Sequence, residues 1–202
     1  MSYSPLVDAA CSRVRDYAMA SAIDRAYRRP FSALLLVAGD ESFLFDHSDP
    51  VTRSEEQQAL LDGFIGCPID DDRIYGAFNA MNPPDGDGSN SRRHTDGAII
   101  INEHGRVAGM GRWLRYPEFD NGDLRCVENK IHLLKGGSNV GGRHRTALRM
   151  SMYPDVAVAV PVSETAGTVI PCSRGMIVDD YVWVPPRVVL RVCERVTAGN
   201  TP

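Results

Sequence analysis

Three apolar runs of strand length set the terms on which this chain folds: 32–38 (S-A-L-L-L-V-A), 98–101 (A-I-I-I) and 155–162 (D-V-A-V-A-V-P-V). Each is short for a helix and too apolar for a surface loop, so each predicts a strand buried in a sheet. Helical patterns lie between them. Val7, Ala10, Val14, Ala18 and Ala22 recur at steps of three and four, with Arg13, Asp16, Asp24 and Arg25 interspersed, which predicts a helix over 6–27. Arg28-Arg29-Pro30 stops it, because proline disfavours helical geometry in the residue before it. Gly39-Asp40-Glu41 suggests a turn and Ser42 to Phe45 a returning strand, completing a hairpin. Thr52-Arg53-Ser54-Glu55 fits a capping box, with a helix over 53–64 that puts Leu60, Leu61 and Phe64 on one side.

The later half mixes the two kinds of element. Asn102-Glu103-His104-Gly105 is a turn, Arg106 to Met110 a return strand and Asp123 to Leu134 a helix. Val182 to Val184 and Val188 to Val192 suggest closing strands around Pro185-Pro186. The fold class expected is α/β, a mixed twisted β-sheet flanked by helices, with an N-terminal helix and hairpin layer. That layer takes 1–81 and is expected to pack on the core. The segment 82–93 (N-P-P-D-G-D-G-S-N-S-R-R) is turn chemistry with almost nothing to bury, hence a linker loop, and 94–197 forms the functional core.

Composition excludes several partners and settings. No apolar run approaches the ~20 residues that a membrane span needs, and no basic patch followed by an apolar core marks a secretory signal. A net charge of −4 disfavours nucleic acid held through bulk charge, and aromatics are sparse beside Arg143, Arg145 and Arg149. Five cysteines (Cys11, Cys67, Cys126, Cys172, Cys193) are an odd number with no C-x-x-C pair, as expected of reduced thiols in a cytoplasmic protein.

Three stretches carry chemistry. Lys135 to Gly142 holds four glycines in eight residues and runs into Arg143-His144-Arg145-Thr146, where a helix begins. Glycines let backbone N–H groups face a concavity, a helix N-terminus adds roughly half a positive charge, and arginine forks match phosphate oxygens. The stretch is either a phosphate site or a solvated basic helix end. Asp96-Gly97-Ala98 precedes the isoleucine run, and its carboxylate is either a cation ligand at a strand edge or part of a common Asp-Gly turn. His94, two residues earlier, is either a further ligand or a solvated loop residue. Ser163-Glu164 closes the 155–162 strand and brings a second carboxylate to a strand end, or leaves it in a solvated loop.

Taken together and in this order, D-G-A at 96–98, R-H-R-T-A at 143–147 and an apolar strand ending in S-E-x-x-G at 163–167 resemble the diadenylate cyclase domain of the DisA N-terminal type. The resemblance spans 95–170, about two fifths of the chain. It implies condensation of two ATP into cyclic di-AMP with release of pyrophosphate, using Mg²⁺ or Mn²⁺, in a homodimer whose active sites face one another. By position, Asp96 would hold metal and help activate the attacking hydroxyl. Gly97 and Ala98 would lie against the nucleotide, and Arg143, His144, Arg145 and Thr146 would bind phosphates. Ser163 and Glu164 would complete the phosphate and metal side. Two departures stand out. Gly142 occupies a position where the family usually has Thr, and Arg143 lies 47 positions after Asp96, a longer interval than the family pattern. Both motivate an alternative, a nucleotide-binding sensor of the same fold with weak or no catalysis.

Overall fold

Seven strands in the order β2-β4-β3-β1-β5-β6-β7 form one sheet, seen in a computed structural model that describes residues 4–24, 34–51, 54–81, 97–116, 121–163 and 167–185. The three apolar runs become its centre: β1 (Leu34–Gly39), β3 (Ala98–Ile101) and β5 (Val156–Val162). β1 pairs parallel with β3 (Leu36 opposite Ile99) and antiparallel with β5 (Leu36 opposite Val160), so the sheet is mixed, as expected. β4 (Val107–Leu114) runs antiparallel to β3, and β2 (Ser48–Pro50) borders β4. At the other side β6 (Cys172–Ser173) and β7 (Met176–Ile177) close the sheet.

Alternation along β1 divides the core in two. Leu34, Leu36 and Ala38 face α1 (Pro5–Asp24) and residues of α3 (Glu55–Asp62) and α4 (Ile74–Met81), in one buried cluster with Val14, Leu61 and Phe78. Leu35 and Val37 face the other way, onto Leu44 of α2 (Glu41–Asp46) and Ala147 and Met150 of α6 (Gly142–Met150). A third cluster joins α5 (Asn121–Leu134) to α6 and β6 through Ile131, Leu148 and Cys172. Helices therefore cover both faces, which is why β1 carries no polar position.

Three expectations are corrected. Ser42 to Phe45 is not a returning strand but part of α2: the Asp40 carboxylate accepts from the Phe43 N–H at 2.8 Å and caps a helix. Both edges of β1 are already taken by β3 and β5, so no hairpin partner can dock there. The cap of α3 is Ser54, whose hydroxyl accepts from the Gln57 N–H, and the helix buries Leu61 while Leu60 faces solvent. The segment 182–184 contributes only a bridge between Trp183 and Val169, and the β6–β7 pair was missed, because two-residue strands carry no period to detect. The expected helix end and stop at 25–30, the linker at 82–93 and the strand at 188–192 lie outside the described residues. Cys11, Cys67, Cys126 and Cys172 are free thiols, all but Cys126 buried. Among the described residues no helix is long and apolar enough to cross a membrane.

Candidate active site

At the sheet end where β1 and β3 begin and β4 finishes, the surface opens into a cleft of about 550 Å³. Leu35, Gly97 and Ala98 lie along its strand side, and Gly142, Arg143 and Thr146 bring in the first turn of α6. The end of β4 and the residues after it supply the rest, from Arg112 to Tyr116. The glycine-rich helix start and Gly97-Ala98, far apart in sequence, thus share one cleft. Its described lining carries three arginines (Arg112, Arg115, Arg143) and no carboxylate.

The local chemistry explains each wall. β3 and β4 approach closely at Gly97, where φ is +115° and a Cβ would lie 2.6 Å from the Gly111 carbonyl carbon. Only glycine fits that backbone. α6 starts with Gly141 as N-cap, and no side chain caps its amides. The sequence put the missing family hydroxyl at Gly142; in the structure that residue is already the first of the helix. A Cβ at Gly141 or Gly142 would meet nothing within 4 Å, so open space lies before the positive end of α6.

The R-H-R triplet does not converge. Successive helical residues point about 100° apart, so three in a row cannot face one ligand. Arg143 and Thr146, three apart, share the cleft side. His144 faces inward and is buried, its Nε2 without a hydrogen-bond partner among the described residues. Burial first, and then the nearby charges of Lys135 and Arg143, push its pKa down to about 3, so the ring is neutral at physiological pH. Arg145 is exposed, with Nε 3.8 Å from Glu128 Oε1 on α5. Ser163 is buried just past β5 at the same end of the sheet but does not line the cleft. Its N–H donates to the Thr168 carbonyl, and its own carbonyl accepts from the Gly167 N–H. Asp96, Glu164 and His94 lie outside the described residues. Among the described residues no group of three or more His, Cys, Asp or Glu is arranged to hold a metal ion.

Sequence reasoning missed the β4 wall because it ended that strand at Met110. The available signal was G-R-W-L-R-Y at 111–116, where arginines and aromatics interleave. Arg112 donates from Nε to Ser48 Oγ (3.1 Å) and from Nη2 to the Ser48 carbonyl (2.9 Å), with its guanidinium 4.7 Å from the Phe45 ring centre. Arg115 donates to the Asp46 carbonyl and pairs with Asp49 at 3.2 Å. The Tyr116 ring lies 5.0 Å from the Arg149 guanidinium of α6, which ties the two walls together.

Residues 88–177 match the model of the family described as DisA bacterial checkpoint controller nucleotide-binding. That span contains the D-G-A and R-H-R motifs, and the resemblance drawn from them is borne out over it. A crystal structure of a double mutant of DacA from Staphylococcus aureus is similar at 15% identity, covering 94% of this chain and 93% of that one, with a TM-score of 0.42. No curated protein matches the chain.

Proposed function

We propose that this chain is a diadenylate cyclase-like nucleotidyltransferase acting in the cytoplasm. The observation that carries the reading is the single cleft shared by Gly97, Ala98, Gly142, Arg143 and Thr146. A triphosphate suits it: the uncapped helix start and the Arg143 fork supply positive charge, and the Thr146 hydroxyl supplies a hydrogen bond. Phosphoryl transfer needs mainly positioning and charge stabilisation, which such a wall provides.

In the reaction proposed, two copies face one another as a homodimer, each holding one ATP. The 3′-oxygen of each nucleotide bonds to the α-phosphorus of the other, the bond from that phosphorus to pyrophosphate breaks, and the hydroxyl proton passes to the Asp96 carboxylate. Two identical transfers fit a two-fold interface. Mg²⁺ or Mn²⁺ belongs to the reading: hard cations take carboxylate oxygens, and Asp96 and Glu164 are the proposed ligands. Their described neighbours Gly97 and Ser163 are both at this end of the sheet. When bound, the cation would offset charge on the phosphates. Arg145 and His144 belong to the motif, Arg145 at the helix surface and His144 supporting the first turn of α6 from within.

The test is incubation of the purified protein with ATP, then with each other nucleoside triphosphate, in Mn²⁺ or Mg²⁺, with products resolved by mass. Cyclic di-AMP and pyrophosphate are expected, and Asp96→Asn should abolish both while the protein stays folded. Turnover by that variant at the parent rate would remove Asp96 from the chemistry. One observation favours a second reading, a nucleotide sensor: His144 and Arg145 both turn away from the cleft, leaving fewer phosphate donors than the motif promises. Calorimetric binding of ATP without product at high protein concentration would select it.

A further inference from the structure

Lys135 is a buried lysine with no carboxylate partner among the described residues, and the proposed chemistry does not use it. It sits where α5 hands over to the glycine-rich loop. The helix ends in a paired turn: the Gly136 N–H donates to the Leu133 carbonyl and the Gly137 N–H to the His132 carbonyl, with Gly136 at φ +68°. The chain then doubles back along the helix it has left. Lys135 Nζ donates to the Asn139 carbonyl at 2.5 Å, and His132 Nδ1 bonds the Ser138 carbonyl at 3.0 Å. Two neighbouring carbonyls of the loop are therefore held by His132 of α5 and by Lys135 just past its end, and two residues after Asn139 the loop becomes the N-cap of α6.

We propose that Lys135 is a positioning residue for the phosphate-binding end of α6, fixing the glycine-rich loop before any ligand arrives. The inference rests on the nucleotide reading above. A loop with four glycines in eight residues loses much conformational freedom when it is ordered. If that ordering is complete in the free protein, a bound phosphate need not drive it, and affinity rises without a new contact. Burial is the cost of the arrangement: it lowers the pKa of Lys135, and its charge also bears on the neighbouring His144.

The experiment compares Lys135→Met and Lys135→Arg with the parent. Lys135→Met removes a buried charge and keeps the apolar stem, so it should fold. It should weaken ATP about tenfold, as the loss of one charge-assisted hydrogen bond does, and raise KM with kcat little changed. Hydrogen exchange should quicken at amides 136–142 and stay as in the parent across β1 and β3. Lys135→Arg, which keeps the donor, should recover most of the affinity and the slow exchange. Parent-like affinity in Lys135→Met, or weakened affinity with loop exchange unchanged, would overturn the positioning role. Failure of the parent itself to bind ATP would instead sink the nucleotide reading, and this inference with it.

Discussion

His144 shows how one residue of a motif can turn into the core while its neighbour Arg143 reaches the cleft. Its folded pKa of about 3 is set by burial and by the charges of Lys135 and Arg143, against an unfolded value of about 6.5. Above the unfolded value both states are neutral and the ring adds no pH dependence. As pH falls below it, the unfolded chain gains a proton that the folded one refuses, so stability drops until the folded pKa is reached. The slope approaches about 1.4 kcal/mol per pH unit. Between pH 7 and pH 5 the parent should therefore lose about 2 kcal/mol more than His144→Leu, read as the difference in urea unfolding free energies. Equal losses in both proteins would mean that the ring titrates normally. The motif was legible as residues and not as directions. R-H-R announces cations and a helix start, but only the phase of α6 against the sheet decides that Arg143 reaches the cleft, His144 the core and Arg145 the α5 side.

Elements were legible wherever their own residues carry a period or a cap. The runs at β1, β3 and β5 and the helix at α5 stand as expected, because each buries enough apolar surface to declare itself. α2 was lost to a hairpin because six residues hold less than two turns, and its one clear signal was the Asp40 cap. The contact that brings β3 against β4 was invisible, since a glycine in sequence does not say what backbone will lie beside it. Gly97 and Gly142 make the contrast testable. At Gly97 the added methyl of Gly97→Ala would meet the backbone of Gly111 and Arg112 at 2.6–2.8 Å and a positive φ, and should cost about 1–3 kcal/mol. Gly142→Ala enters open space in the first turn of α6 and should be neutral, or stabilising by up to about 1 kcal/mol. Chemical denaturation of both variants checks the pair, and a tolerated alanine at 97 would mean that the two strands can separate there without loss.

Across the whole molecule, the strand given by the N-terminal third governs how the rest holds together. β1 is fourth of seven strands, and the same strand sets the α1 core with Leu36 and lines the cleft with Leu35. The sequence reads 1–81 as a layer packed on the core, and chain order says nothing of which strand ends up central. If β1 joins both halves into one cooperative unit, Leu36→Ala should destabilise both together, by about 3–5 kcal/mol for a fully buried leucine. Two tryptophans allow this to be seen from opposite ends. Trp113 lies on β4, and Trp183 bridges Val169 beyond β5. Single-tryptophan versions of the parent and of Leu36→Ala should unfold at one midpoint whichever ring is followed, with both midpoints shifted equally by the substitution. A shift at Trp183 with none at Trp113 would mean that the cleft strands hold without β1, and that the centre of the sheet is not where the fold's stability is coupled.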